Sequence, residues 1–173
     1  MLFNSYIFVF LFFPVSLAGY WLCGKAAEKK ERSFLPSLFL VAASLLFYGY
    51  LKPAYLPVLL VSLLVNFAFY RQIEKRKEKK AFLAGGIFLD LLVLGIFKYT
   101  GSTFVPLGIS FFTFSQIAFL MEGYRGSLKR TSLLDYSVYL TFFPKIMEGP
   151  IALPTDFLPA YQESGKKGFS IEN

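Results

Sequence analysis

Residues 56–99 read LPVLLVSLLVNFAFYRQIEKRKEKKAFLAGGIFLDLLVLGIFKY, two long apolar runs on either side of a basic decapeptide. Each apolar run approaches the roughly 20 residues that a helix needs to cross about 30 Å of hydrocarbon. Neither run alternates apolar and polar residues, as the strands of a membrane β-barrel do. The pattern therefore predicts two transmembrane helices joined by a basic loop at residues 71–80.

Similar apolar runs precede and follow this pair. We predict spans near residues 2–23, 34–51, 55–70, 82–98, 104–123 and 134–148. Pro106 and Gly108 are expected to break the entry to the fifth run, since both residues interrupt helices. The predicted fold is all-α: a polytopic transmembrane helical bundle of five or six spans over residues 1–150, followed by a polar tail at residues 151–173.

The composition excludes several classes of protein. Of the 173 residues, 55% are hydrophobic and 17% are charged, whereas about 25% are charged in a typical soluble domain. The 22 Phe and 11 Tyr exclude a disordered chain. With no His and one Cys, the chain cannot build a His/Cys zinc site, a Ser-His-Asp triad or a Cys-His pair.

The basic residues fall in clusters that define a topology. The loops after the first, third and fifth runs hold 13 of the 18 Lys and Arg residues. The positive-inside rule places these loops in the cytoplasm and the N-terminus outside. Membrane topology thus accounts for the net charge of +7, and we expect a lipid bilayer, and no nucleic acid, as partner.

Two polar residues lie inside apolar runs. Asp90 occupies the middle of the fourth run, where a charge costs about 2.5–3.5 kcal/mol on insertion scales. It is either a carboxylate that orients an ion or substrate in the bundle interior, or a protonated or hydrogen-bonded acid that ties helices together. Asn66 in the third run is expected to hydrogen-bond to a neighbouring helix.

The segment 105–126, VPLGISFFTFSQIAFLMEGYRG, carries Ser110, Thr113 and Gln116 at a spacing of three. Such a polar strip suits a lumen or a packed helix interface, and does not suit lipid. Lining of a substrate path and hydrogen bonding between helices are both open interpretations. Glu122 and Arg125, also three residues apart, are expected to form an ion pair.

The segment 142–151, FFPKIMEGPI, places Lys145 and Glu148 on one helical face. Two opposite charges in an apolar run are costly to bury unless they pair with each other or face a polar cavity. Gly149 and Pro150 then stop the helix. A broken helix with a charge pair can form a site within the membrane, and we predict a site-forming or conformational role here.

Several blocks, in order, resemble the N-terminal part of the membrane-bound O-acyltransferases (MBOAT), and among them the bacterial alginate O-acetylation proteins. The blocks are MLFNSYIFVFLFFPVSLAGYW (1–21), SLLFYGYLKPAYL (44–56), LGIFKYT (94–100), VPLGISFFTFSQIAFLMEGYRG (105–126), LDYSVYLTFFPKIMEGPI (134–151) and DFLPAY (156–161). They cover nearly the whole chain. Many family members carry Gln where this chain has Lys145.

The resemblance implies membrane helices arranged around a tunnel. An acyl donor, carried by CoA or by an acyl-carrier protein, would enter from the cytoplasm, and a hydroxyl on the outer side would accept the acyl group. Ser110, Thr113 and Gln116 would line or support the tunnel, and residues 145–150 would shape the helix break beside it. The catalytic His of the family lies beyond the matched region, so we expect this chain to be an N-terminal part without a catalytic residue.

The resemblance also implies a function and a location. We expect a multi-pass protein of the bacterial plasma (inner) membrane that acylates, by acetyl transfer, an exported polysaccharide such as alginate. Its partners would be the missing C-terminal part of the enzyme and polysaccharide-modifying proteins outside the membrane. No bound cofactor and no metal is predicted. The alternatives are D-alanyl transfer to teichoic acid, and a non-catalytic membrane scaffold that binds a partner.

Overall fold

A computed structural model describes residues 6, 8–30, 34–76, 78–99, 105–106, 108–128, 130–142 and 152–166. All regular structure within these residues is helical. A π-helical turn (Phe8–Phe12) leads into the first of the seven α-helices that these residues form, and a 3-10 turn (Pro53–Tyr55) joins the second to the third. The helices are α1 (Phe13–Lys30), α2 (Leu35–Leu51), α3 (Leu56–Lys75), α4 (Lys79–Tyr99), α5 (Ile109–Arg125), α6 (Leu133–Thr141) and α7 (Pro154–Lys166).

Three helical segments of the described chain are long and apolar enough to cross a membrane: Phe10–Ala27, Pro53–Lys75 and Lys79–Tyr99. The helix over Leu35–Tyr50 is apolar but shorter. Large apolar side chains on these helices, such as Leu46, are exposed on the outside of the bundle, where lipid can cover them. The predicted all-α membrane bundle is confirmed.

The predicted basic loop at 71–80 is mostly helical. Helix α3 continues through Arg71–Lys75, and α4 starts at Lys79, because the segment lacks Gly and Pro and consists of good helix formers. Arg71 also pairs with Glu74 at 3.1 Å, one turn further on. Only three residues of the sequence therefore separate α3 from α4, instead of a ten-residue loop.

Helix α6 is a short helix in the region of the sixth predicted span. The Ser132 hydroxyl caps it, accepting a hydrogen bond from the Asp135 backbone N–H at 3.0 Å and donating to the Asp135 carboxylate at 2.7 Å. Nine residues at 1.5 Å each give about 13 Å, less than half of the hydrocarbon thickness. The remainder of that span, residues 143–150, lies outside the described residues.

Helix α7 lies in the predicted polar tail and packs against α5 and α6. The hydroxyls of Tyr161 on α7 and Ser37 at the start of α2 are 2.7 Å apart. Burial raises the pKa of Tyr161 to about 12, and the hydrogen bond to Ser37 opposes this shift. The phenol therefore stays protonated near neutral pH and links α7 to the N-terminal end of α2.

Helix α5 packs against four other helices, α3, α4, α6 and α7. Gly108, with φ of 69°, precedes its first residue, and Gly126, with φ of 76°, follows its last one; glycine adopts this left-handed conformation without steric cost. Two glycines bring neighbouring helices close. A Cβ on Gly86 of α4 would lie 2.7 Å from Leu120, and one on Gly123 would lie 2.8 Å from Tyr70.

Candidate functional site: a buried polar cluster between four helices

Helix α3 presents a polar pair inside an otherwise apolar buried face. Ser62 and Asn66 are four residues apart, so they lie on the same side of the helix, and Asn66 is only 2% exposed. The same face buries Leu59, Leu63 and Tyr70. The apolar residues of this face pack α3 against its neighbours. Ser62 and Asn66, which share the face, therefore lie towards the bundle interior.

The first hydrogen bond of the cluster joins α3 to α4. The Asn66 side-chain amide donates to Oδ1 of Asp90 at 2.5 Å, and Asp90 is only 4% exposed. Asn66 therefore makes the interhelical bond expected of it. Asp90 is the charged residue that the sequence placed in the middle of a span, and the structure buries it against another helix.

The second hydrogen bond joins α3 to α5. The Ser62 hydroxyl donates to Oε1 of Gln116 at 3.0 Å, and Gln116 is 1% exposed. Gln116 thus has its carbonyl oxygen engaged, and its NH₂ group, which carries two donors, is near the Tyr136 hydroxyl. Polar side chains therefore link α3 to both α4 and α5. The two residues of α3 that make these links, Ser62 and Asn66, are one helical turn apart.

Helix α6 completes the cluster with Tyr136, which is fully buried. Its ring packs against Phe67 and Phe119, with ring centroids 5.7 and 4.4 Å away. Its hydroxyl lies beside the Gln116 amide and within electrostatic range of Asp90. Aromatic contacts with α3 and α5 therefore hold the Tyr136 ring in the bundle core.

Four atoms of this cluster have no hydrogen-bond partner: Oδ1 of Asn66, Oδ2 of Asp90, Nε2 of Gln116 and the Tyr136 hydroxyl. Over the part of the chain that the structure describes, these are the only buried side-chain N or O atoms in that condition. Each unpaired buried polar atom costs about 1–3 kcal/mol. Buried polar atoms without a protein partner are candidate contacts for a polar ligand group.

The other residues singled out in the sequence lie in different surroundings. Thr113 is buried on α5, whereas Ser110 is half-buried. A step of three residues turns a helix by about 300°, so the strip drifts around α5 and does not follow one line. Lys145, Glu148, Gly149 and Pro150 lie outside the described residues. Ser62 and Tyr136 belong to the cluster although no sequence pattern singled them out.

A second polar feature lies where α4 begins and α5 ends. Arg125 donates to Oε1 of Glu122 at 2.8 Å, so the predicted ion pair is confirmed. A cleft of about 730 Å³ beside it is lined by six residues of these two helix ends. They are Glu78, Lys79, Lys80, Ala81, Tyr124 and Arg125.

The described residues contain no group of three His, Cys, Asp or Glu side chains placed to hold a metal ion. The cluster offers the hydrogen-bonding groups of two amides, two hydroxyls and one carboxyl group. Amide, hydroxyl and carboxylate groups of this kind orient a hydroxyl or carbonyl group.

Comparison with known proteins shows similarity to bacterial acyltransferases. The chain is 28% identical to the peptidoglycan O-acetyltransferase of Helicobacter pylori over 218 aligned positions, which cover the whole chain and 41% of that protein. It is 28% identical to the probable alginate O-acetylase AlgI of Pseudomonas aeruginosa, over 87% of the chain and 32% of that protein. It is 31% identical to the teichoic acid D-alanyltransferase of Lacticaseibacillus rhamnosus, over 62% of the chain and 29% of that protein.

The chain thus spans about two fifths of the length of the Helicobacter pylori relative and about a third of the Pseudomonas aeruginosa one. No family model matches the chain. No solved structure matches it at a significant level. The names and coverage of these relatives confirm the resemblance to the membrane-bound O-acyltransferases.

Proposed function

We propose that this chain, a homologue of bacterial O-acetyltransferases along its whole length, forms the N-terminal helical bundle of a membrane-bound O-acyltransferase. The enzyme would transfer an acetyl group to hydroxyls of a glycan outside the plasma membrane, either peptidoglycan or an exported polysaccharide such as alginate. The observation that carries this proposal is the similarity of all 173 residues to a peptidoglycan O-acetyltransferase.

The role we propose for this chain is to bind and orient, because it contains no His to act as the general base. The catalytic His would come from a part of the enzyme outside these residues. Asp90 and Gln116 are buried in the bundle interior, where the low dielectric makes hydrogen bonds to a reacting group stronger than in bulk water. They would support the wall of the tunnel next to the reaction centre.

The proposed topology places donor and acceptor on opposite sides of the membrane. The basic ends of α3, α4 and α5 would face the cytoplasm, by the positive-inside rule. The cleft with Lys79, Lys80 and Arg125 lies at these ends, where cationic side chains attract phosphate groups. We place there the approach of a phosphate-bearing acyl donor, CoA or an acyl-carrier protein. Polysaccharide-modifying partners would act on the opposite, outer side.

A second candidate function is D-alanyl transfer to teichoic acid. It is favoured by the 31% identity to a teichoic acid D-alanyltransferase, which covers 62% of the chain. The two reactions use the same bond chemistry, since each forms an ester on a glycan or polyol hydroxyl. They differ in the group transferred.

One experiment tests both candidates. Deletion of the gene that encodes this chain, followed by mild alkaline release of esters from peptidoglycan, exported polysaccharide and teichoic acid, measures acetate and D-alanine separately. Loss of acetate with unchanged D-alanine supports O-acetylation. Loss of D-alanine with unchanged acetate supports the second candidate. If neither quantity changes, the proposed function is wrong.

A further inference from the structure

The four unpaired atoms of the polar cluster form a complementary set. Oδ1 of Asn66 and Oδ2 of Asp90 are acceptors, and Nε2 of Gln116 is a donor. The Tyr136 hydroxyl can donate or accept. Such a set matches a small molecule that both donates and accepts hydrogen bonds.

The enclosure of the cluster limits the size of that molecule. All four side chains are 4% exposed or less, and the Tyr136 ring packs against two other aromatic rings. A buried water typically makes about three hydrogen bonds to otherwise unsatisfied polar groups. A cation would instead require oxygen ligands throughout, and the donor group of Gln116 faces the cluster because its oxygen is engaged by Ser62.

We propose that the cluster is a binding site for ordered water, held between Asn66, Asp90, Gln116 and Tyr136. The water accepts a hydrogen bond from the Gln116 amide and donates to the free oxygens of Asp90 and Asn66. It bridges α3, α4, α5 and α6. This site goes beyond the proposed acyl transfer and does not depend on it.

The chain contains a matched internal control. Tyr139 lies one turn after Tyr136 on α6 and is equally buried. Its hydroxyl, however, is engaged by backbone carbonyl oxygens of Ala152 at 3.1 Å and Ser115 at 3.4 Å. The two tyrosines therefore share helix and burial, and differ in whether the hydroxyl has a protein partner.

X-ray hydroxyl-radical footprinting of the chain in detergent micelles shows which of the two tyrosines lies next to water, because radicals generated from bound water oxidise adjacent side chains. Tandem mass spectrometry resolves oxidation at Tyr136 from that at Tyr139. We expect several-fold faster oxidation at Tyr136, and incorporation of ¹⁸O there after transfer to labelled water. Equal and slow oxidation of both tyrosines would overturn the proposal, as would equal and fast oxidation.

A variant tests the composition of the site. Gln116→Leu removes the donor and retains a similar side-chain volume, so Tyr136 oxidation should fall towards the rate at Tyr139. Gln162 on α7 is exposed, and Gln162→Leu should leave the ratio of the two rates unchanged. An unchanged ratio in Gln116→Leu would overturn the site as assigned. The wild-type ratio decides the proposal independently should this variant fail to fold.

Discussion

The amide of Asn66 and the carboxylate of Asp90, 24 residues apart in the sequence, form a buried hydrogen bond between α3 and α4. Each residue alone would be costly in the interior of a membrane bundle. Together they satisfy one donor and one acceptor, and their two remaining side-chain oxygens are buried without a protein partner. The bond thus couples helix packing to the candidate site.

This coupling predicts non-additive effects of substitution. Asn66→Leu and Asp90→Leu should each lower the free energy of unfolding by about 1–3 kcal/mol, because each leaves a buried polar partner unpaired. The double variant should lose less free energy of unfolding than the two single variants lose in total, since residues in direct contact couple by about 0.5–3 kcal/mol. Denaturant unfolding in detergent, followed by circular dichroism, measures this. Strict additivity would show that the two side chains do not act as a pair.

Glycine packing predicts opposite effects at two helical positions. Gly123→Ala places a Cβ 2.8 Å from the Tyr70 ring, and such overpacking costs about 1–3 kcal/mol. Gly95→Ala meets nothing within 4 Å and should stabilise α4 by up to about 1 kcal/mol through helix propensity. Thermal unfolding midpoints of the two variants should therefore shift in opposite directions. A shift of the same sign would contradict the close contact of α3 and α5.

The proposed orientation predicts which end of α3 is accessible from outside the cell. In a Cys23→Ala background, Lys52→Cys should react with a membrane-impermeant thiol reagent in intact cells. Arg76→Cys should react only after the membrane is permeabilised, since basic ends stay in the cytoplasm. Both side chains are exposed, so a difference in labelling between the two positions would not result from burial in the protein. The reverse labelling pattern would invert the topology.

The basic cleft predicts a charge requirement at the cytoplasmic end. The double variant Lys79→Gln/Lys80→Gln should lower ester formation on the glycan, because two cations that line the cleft are lost for attracting donor phosphates. The matched control, Lys75→Gln/Arg76→Gln, removes two charges from the C-terminal end of α3, outside the cleft lining. Equal ester levels in the two double variants, measured at equal protein levels, would show that the acyl donor does not approach through the cleft.

The fold follows from the sequence where the signal is local. Long apolar runs predict α3 and α4, and the three-residue spacing predicts the Glu122–Arg125 pair. Asp90 stands out because a charge in an apolar run is rare. Ser62 and Tyr136 do not stand out, because hydroxyl residues are common in membrane helices, and only tertiary packing brings these two hydroxyls to the amide of Gln116.

Helix length was harder to predict from the same sequence. Hydropathy ends a span at the first charged residues, but α3 runs five residues beyond Tyr70 because Lys, Arg, Glu and Gln continue a helix outside the hydrocarbon. In the region of the sixth apolar run, the helix ends at Thr141. An apolar run predicts burial or lipid contact, and by itself it does not predict a continuous crossing helix.

The measurement that tests the central claim most directly is ester-linked acetate on cell-envelope glycans in a strain that lacks the gene. The strain is complemented with the wild-type gene, with Asp90→Leu or with Asp156→Leu, at matched protein levels. Asp156 is exposed on α7 and serves as the control. We predict that the wild-type gene and Asp156→Leu restore acetate, and that Asp90→Leu does not. Full restoration by Asp90→Leu, or unchanged acetate in the deletion strain, would contradict the account.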